Sequence, residues 1–126
     1  KHGKKICQDN FQLISFHYKQ DIHVVLAYIS HNADLKSVNK YLEEILMFSG
    51  KEILLGDFNF DSGERNVISS FLKRNNYHQL VQEPTQAAGR TIDHLYVSPA
   101  LKNAIDLVTM FKYYSDHCAF HVKRNV

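Results

Sequence analysis

Runs of apolar residues separated by polar breaks divide the chain into strands and helices. Residues 11–18 mix aromatic and β-branched side chains, which indicates a strand. After a polar break short enough for a hairpin, residues 22–30 contain a nearly continuous apolar run, which predicts a second strand buried on both faces. A third strand is predicted over residues 52–56, where an apolar run begins at Ile53 and ends at Gly56.

Two segments carry apolar residues at the spacing of an amphipathic helix. The first begins at Asn32 or Asp34, either of which can cap a helix N-terminus, and Gly50 is a suitable C-terminal stop. The second helix is shorter and covers residues 66–75. Residues 77–81 are ambiguous, and the proline and glycine of residues 83–90 predict a loop.

Strand-type sequence returns in the last third of the chain. Residues 91–97 alternate in strand fashion, and further strands are predicted over residues 105–111 and 118–122. At the other end, Lys1 to Lys5 could form a basic arm for a nucleic-acid backbone, but a frayed terminus is the preferred interpretation. With strands outnumbering helices, the pattern predicts an α+β fold.

Composition describes one globular domain without a strong overall field. Of 126 residues, 44% are hydrophobic, and 15 basic against 13 acidic residues give a net charge of +2. Cys7 and Cys118 lack the spacing of a zinc ribbon or a disulfide scaffold. No apolar stretch reaches the ~18 residues of a membrane span, and no signal peptide opens the chain, which predicts a nuclear or cytoplasmic protein without a membrane partner.

Polar side chains stand at the ends of three predicted strands. Asp57 and Asn59 follow the central apolar run, and strand alternation would point both the same way. A turn is an equally good interpretation of this stretch, because glycine, aspartate and asparagine all favour turns. Asp93 interrupts an apolar strand, and Asp116 with His117 marks a later junction. Acids are unwelcome inside strands, so these positions are candidates for chemistry.

Three of these stretches resemble the last three motifs of the endonuclease/exonuclease/phosphatase superfamily. They are Leu-Leu-Gly-Asp-Phe-Asn at 54–59, Thr-Ile-Asp-His-Leu-Tyr-Val-Ser at 91–98 and Ser-Asp-His-Cys at 115–118. The superfamily includes deoxyribonuclease I, the apurinic endonucleases, the endonucleases of mobile elements and the inositol polyphosphate 5-phosphatases. The order and spacing of all three are family-like, and Val-Leu-Ala-Tyr at 25–28 more loosely resembles the family's active-site tyrosine segment.

The resemblance implies a magnesium site, in which manganese is also acceptable. Asp57 would orient or deprotonate the attacking water. Asn59 would hold a phosphate oxygen or the metal, and Asp116 would be a metal ligand, so that Asp57, Asn59 and Asp116 form the implied ligand set. Carboxylate and amide oxygens are the ligands that this hard cation prefers.

The resemblance also implies groups that contact the substrate. His117 would contact the scissile phosphate and stabilise its growing charge, with Asp93 bonded to the other ring nitrogen. Tyr28 would donate a hydrogen bond to the phosphate or assist the leaving group. Outside the motifs, Arg90 could reach a phosphate from its loop, and His31 lies near the tyrosine segment.

The chain departs from the superfamily in length. Members are about twice as long, and their first half supplies an asparagine and a glutamate that have no counterpart here. Since Lys1 is not a methionine, the sequence looks like a piece of a longer protein. Residues 1–126 are therefore expected to form the C-terminal half of a four-layer α/β sandwich, with a mainly antiparallel or mixed sheet, helices on one face and an exposed apolar opposite face.

These expectations leave three functions open. A metal-dependent DNA endonuclease is preferred, because nothing resembles the 5-phosphatase signatures around the motifs. The first alternative is a phosphatase acting on a small phosphate ester or a phosphoinositide. The second is an inactive half-domain that binds a complementary chain, or itself, through the exposed sheet face.

Overall fold

The chain folds as an α+β protein around a mixed sheet. The structure is a computed structural model that describes residues 3–18, 21–81 and 92–101. In that part of the chain the strands are Lys4–Gln8 (β1), Phe11–Tyr18 (β2), Ile22–Ile29 (β3), Lys51–Asp57 (β4), His78–Gln79 (β5) and Asp93–Val97 (β6). The helices are Leu35–Ile45 (α1) and Val67–Arg74 (α2), followed by a 3₁₀ turn at Pro99–Leu101.

The six described strands form one sheet in the order β1-β2-β3-β4-β6-β5. Strands β1, β2 and β3 form an antiparallel meander, and β6 pairs antiparallel with both β4 and β5. The pairing of β3 with β4 is parallel. Helix α1 lies between these strands in the sequence and returns the chain to the end of the sheet at which β3 begins. The predicted α+β class with a mixed sheet is confirmed.

Both helices pack on the same face of the sheet. Their apolar stripes share one core cluster with inward-facing strand residues, of which Leu13, Val25 and Leu54 are completely buried. The helix residues in this cluster are Val38, Leu42 and Ile45 of α1 and Ile68, Phe71 and Leu72 of α2. This arrangement confirms helices on one face within the described residues.

Side-chain caps fix where both helices begin. Asp34, one of the two predicted caps, accepts a hydrogen bond from the backbone N–H of Lys36 at 3.3 Å. Helix α1 ends at Ile45, five residues before the predicted stop at Gly50. Asn66 starts α2 with a capping box, in which its side chain accepts from the backbone and Ser69 bonds back to it.

The N-terminal segment differs from its prediction. The expected frayed terminus at residues 1–5 overlaps β1, which pairs along its whole length with β2, from Lys4 opposite Ser15 to Gln8 opposite Phe11. Its lysines hide the apolar pattern that usually indicates a strand. The structure accommodates them because β1 is an edge strand, on which charged side chains can face solvent. The predicted loop at 83–90 and the predicted strands at 105–111 and 118–122 lie outside the described residues.

The second face of the sheet is less exposed than expected. At its centre, Ile53 and Leu95 are completely buried, so the prediction of a fully exposed apolar face is wrong for β4 and β6. Towards the meander the same face is open, with Phe16 38%, Tyr18 41% and Tyr28 49% exposed. Among the described helices, neither is long and apolar enough to cross a lipid bilayer.

A buried carboxylate ties the start of β4 to its surroundings. Glu52 has no exposed surface, and its oxygens accept hydrogen bonds from the backbone N–H groups of Met47 (2.8 Å) and Phe48 (3.2 Å) and from the hydroxyl of Tyr77. The Nδ1 atom of His23 lies 2.6 Å from the same carboxylate. Four groups from three segments of the chain thus converge on one acid, at the opposite end of β4 from Asp57.

Candidate active site at the end of strand β4

Three neighbouring strands bring polar side chains into one row, where the strands meet at one end of the sheet. In the strand register, Tyr28 of β3 lies opposite Asp57 of β4, and Asp57 lies opposite Asp93 of β6. Residues directly opposite each other in a sheet project from the same face. The row therefore places a phenol and two carboxylates side by side.

A glycine makes this close packing possible. Gly56 has a φ of 148°, and a Cβ atom at this position would overlap the carbonyl oxygen of its strand partner, Ala27. Any side chain would push β3 and β4 apart next to Asp57. The glycine of the 54–59 motif is thus required by the backbone that carries the row.

The strand ends at Asp57, so the predicted alternation does not extend to Asn59. Asn59 has a φ of 55°, in the left-handed region that asparagine tolerates better than most residues. Its backbone N–H donates to Oδ1 of Asp57 at 3.0 Å, and its Nδ2 donates to the carbonyl oxygen of Ile29 at 2.7 Å. The strand and turn interpretations each describe part of this stretch, and Asn59 joins the ends of β3 and β4.

The environment of Asp57 makes its carboxyl group a weaker acid. The pKa of Asp57 is raised from 3.8 to about 6. Burial is the larger cause, and the negative charge of Asp93 is the second. The hydrogen bond from the Asn59 N–H acts in the opposite direction, because it favours the carboxylate. A carboxyl group with a pKa near neutrality can accept a proton from water and release it again.

His94 supports the loop that follows Asp57. It is completely buried and stacked on Phe58, with ring centroids 4.7 Å apart. Its Nε2 lies 3.0 Å from the carbonyl oxygen of Phe60, and its Nδ1 lies 2.9 Å from the hydroxyl of Tyr96. Because a carbonyl only accepts, Nε2 carries the proton and the Tyr96 hydroxyl donates to Nδ1. The sequence did not indicate a partner for His94, although aromatic residues lie next to Asp57 and close to Asp93.

The remaining predicted residues are placed as follows. His31 is exposed in the turn after β3, two residues beyond Ile29. Arg90, Asp116 and His117 lie outside the described residues. Among the described residues no group of three or more histidine, cysteine, aspartate or glutamate side chains is arranged to hold a metal. Of the predicted residues, the structure brings together Tyr28, Asp57, Asn59 and Asp93. The catalytic and metal-binding roles of all of them stay predictions.

The chemistry of the row suits a hard cation. Asp57 and Asp93 repel each other, which is part of why the pKa of Asp57 is raised, and a divalent cation between them would relieve that repulsion. Their donors are oxygens, which magnesium and manganese accept. Both acids are half-buried rather than sealed in the core, so an ion can reach them.

Comparisons with known proteins add no family assignment. No protein-family model matches the sequence, and no similar sequence is found among curated proteins. The resemblance to the endonuclease/exonuclease/phosphatase superfamily therefore rests on the sequence motifs alone.

Proposed function

We propose that the protein is a metal-dependent phosphodiesterase that hydrolyses DNA. The observation that carries this proposal is the row of Tyr28, Asp57 and Asp93, in which the pKa of Asp57 is raised to about 6. Hydrolysis of a phosphodiester needs a base near water, a cation and donors beside the phosphate, and this row supplies oxygen groups of the required kinds.

In the proposed reaction, Asp57 accepts a proton from the attacking water. Asp57 and the amide oxygen of Asn59 would hold magnesium or manganese, whose positive charge would oppose the developing charge on phosphate. Asp93, beside Asp57, would bond to a ring nitrogen of His117. The hydroxyl of Tyr28, half-exposed at the end of the row, donates a hydrogen bond to the phosphate or the leaving oxygen. The motif residues Asp116 and His117 would complete the ligand set and the phosphate contacts.

A four-layer sandwich, of which this chain would form the C-terminal half, is part of the same proposal. Helices on one face and a partly buried second face are compatible with the C-terminal half of a four-layer sandwich. The exposed Phe16 and Tyr18 on that second face support a partner surface, for a complementary chain or a second copy. A nuclear or cytoplasmic location, where the protein would meet DNA, remains a prediction.

Cleavage of supercoiled plasmid tests the proposed activity. We expect nicking with magnesium, loss of nicking with EDTA, and loss in Asp57→Asn and His117→Ala. The exposed Asp9→Asn variant, which also removes one acid, should nick like the parent. Since Asp57 must be ionised to act as a base, the rate should rise with pH, with its midpoint at about 6 or lower where the metal stabilises the carboxylate.

Two outcomes would redirect the proposal. Release of inorganic phosphate from inositol phosphates without plasmid nicking would favour the small-ester phosphatase. Absence of both activities at every pH, in a folded and monodisperse preparation, would refute catalysis by this chain and favour the inactive half-domain that acts as a binding module.

A further inference from the structure

A second concave surface follows helix α2, separate from the row at the end of β4. It is an open groove of about 780 Å³ between the loop at residues 62–65, the outer side of α2 and the sheet at β5 and β6. We call it the α2 groove. Its basic lining residues are Arg65, Lys73 and Arg74, and its polar wall includes Ser62 and Ser70.

The α2 groove concentrates positive charge in a protein whose net charge is only +2. All three basic side chains are exposed, and none forms an ion pair with another described residue. The acid in the lining is Glu64, whose carboxylate accepts a hydrogen bond from Nδ2 of Asn66 at 3.0 Å. Lys73 and Arg74 also complement the C-terminal dipole of α2, but that effect does not account for Arg65, which precedes the helix.

The spacing of these charges fits a chain of phosphates better than one phosphate. Arg65 lies before the first turn of α2 and Lys73 lies in the last turn. The helix has eight residues, which span about 12 Å. One strand of a nucleic-acid duplex advances about 3.4 Å per phosphate, so about three or four phosphates cover this length. The exposed hydroxyl of Ser70, between these ends, is a neutral donor suited to phosphate oxygens.

The α2 groove lies on the helix face of the sheet, because Tyr96 in its lining belongs to the core cluster beneath the helices. Asp93 projects from the opposite face, since it is three residues from Tyr96 along β6, and it pairs with Asp57 there. Residues 58–61 connect Asp57 to the loop that carries Arg65, and α2 then runs back along the sheet towards Tyr77, which contacts Glu52 at the far end of β4. The rings of Tyr77 and Tyr96 lie in the floor of the groove but are only 7% and 5% exposed. They offer little face for stacking on a base, so a ligand here is held through its backbone.

We infer that the α2 groove binds the sugar–phosphate backbone of DNA, on the helix-covered face of the sheet and apart from the phosphate that is cleaved. The inference rests on the proposed function for its substrate class. It adds that binding is independent of base sequence and extends over about three or four nucleotides along α2.

Binding of a fluorescein-labelled DNA duplex, followed by anisotropy in EDTA so that no cleavage occurs, tests the inference. The full chain is compared with the triple variant Arg65→Gln/Lys73→Gln/Arg74→Gln over a range of salt concentrations. Each phosphate contact contributes about 0.9 to the slope of log affinity against log salt. We expect the triple variant to lose at least about tenfold in affinity and to flatten that slope by about 2 to 3.

A matched variant controls for overall charge. Lys5→Gln/Lys36→Gln/Lys40→Gln also removes three exposed cations, from β1 and α1. It should keep most of the parent affinity and slope. Equal weakening by both triple variants, or parent-like binding by the groove variant, would overturn the inference. Tight binding of inositol hexakisphosphate with no measurable binding of DNA would also overturn it.

The inference and the proposed function can fail separately. Hydrolysis of the small diester bis(4-nitrophenyl) phosphate depends on the row alone, so the groove variant should retain it while Asp57→Asn loses it. If the parent cleaves neither DNA nor this diester but the groove variant still loses DNA binding, the α2 groove stands and the nuclease proposal falls. If the diester is cleaved and the groove variant binds DNA like the parent, only the groove assignment falls.

Discussion

Replacing Asp57 by asparagine is expected to stabilise the folded protein at neutral pH. Burial and the charge of Asp93 raise the pKa of Asp57 from 3.8 to about 6. The unfolded chain keeps the ordinary value, so between these two pH values it binds fewer protons than the native state. Stability therefore falls as pH rises through this window. The destabilisation is complete above about pH 6 and absent below about pH 4.

The size of the effect follows from the shift. A change of about two pKa units corresponds to roughly 3 kcal/mol. Because the Asp57 side chain is only partly buried, water screens part of this, and we expect about 1–2 kcal/mol. Asparagine keeps the oxygen that accepts the N–H of Asn59 at 3.0 Å, so the substitution removes the charge and leaves that hydrogen bond in place.

Urea unfolding at about pH 7.5 and about pH 4 measures the effect, because the linkage makes it depend on pH. Asp57→Asn should raise the free energy of unfolding at the higher pH and change it little at the lower one. Asp9→Asn, at an exposed turn, should change neither. A variant no more stable than the parent at the higher pH, or equally stabilised at both, would refute the argument that burial and repulsion oppose ionisation of Asp57.

Three further predictions concern the scaffold, each measured by urea unfolding. Glu52→Ala leaves several buried donors without an acceptor and should lower the free energy of unfolding by about 3–5 kcal/mol. Glu44→Ala, at an exposed position, should change it by less than about 0.5 kcal/mol. Similar values for both variants would contradict the role of the buried acid. Gly56→Ala should cost about 4 kcal/mol or prevent folding, while Gly50→Ala, with a φ of 71° and open space around it, should cost about 1–2 kcal/mol. His94→Phe keeps an aromatic ring but strands a hydroxyl and a carbonyl, and should cost about 2–4 kcal/mol; a neutral effect would show that those bonds do not hold the loop.

Local patterns in the sequence were sufficient for most of the helices and strands. The Asn66 cap and the apolar stripe after it define α2, and the buried run before Gly56 defines β4. Asp57 and Asp93 were both expected at the ends of strands, but the pairing of β4 with β6 that sets them opposite each other was not predicted. The features that were predicted depend on residues close in sequence.

Features that depend on distant contacts were not predictable in the same way. Glu52 looked like an ordinary acid beside a strand, because its partners His23 and Tyr77 are 29 and 25 residues away. The position of Asn59 was uncertain because its left-handed backbone is stabilised by the carbonyl of Ile29 on another strand. Strand β1 was missed because its lysines hide the pattern that pairing with β2 creates.

Those lysines bear on how the protein behaves at high concentration. Strand β1 is the outermost strand of the sheet, and in the described part of the chain nothing pairs with its outer edge. An unpaired edge can recruit a strand from another molecule, and aggregation then spreads from edge to edge. Lys4 and Lys5 are exposed on this strand and would meet like charges in a second copy. The charge that conceals β1 in the sequence thus also protects the folded sheet from growing into an aggregate.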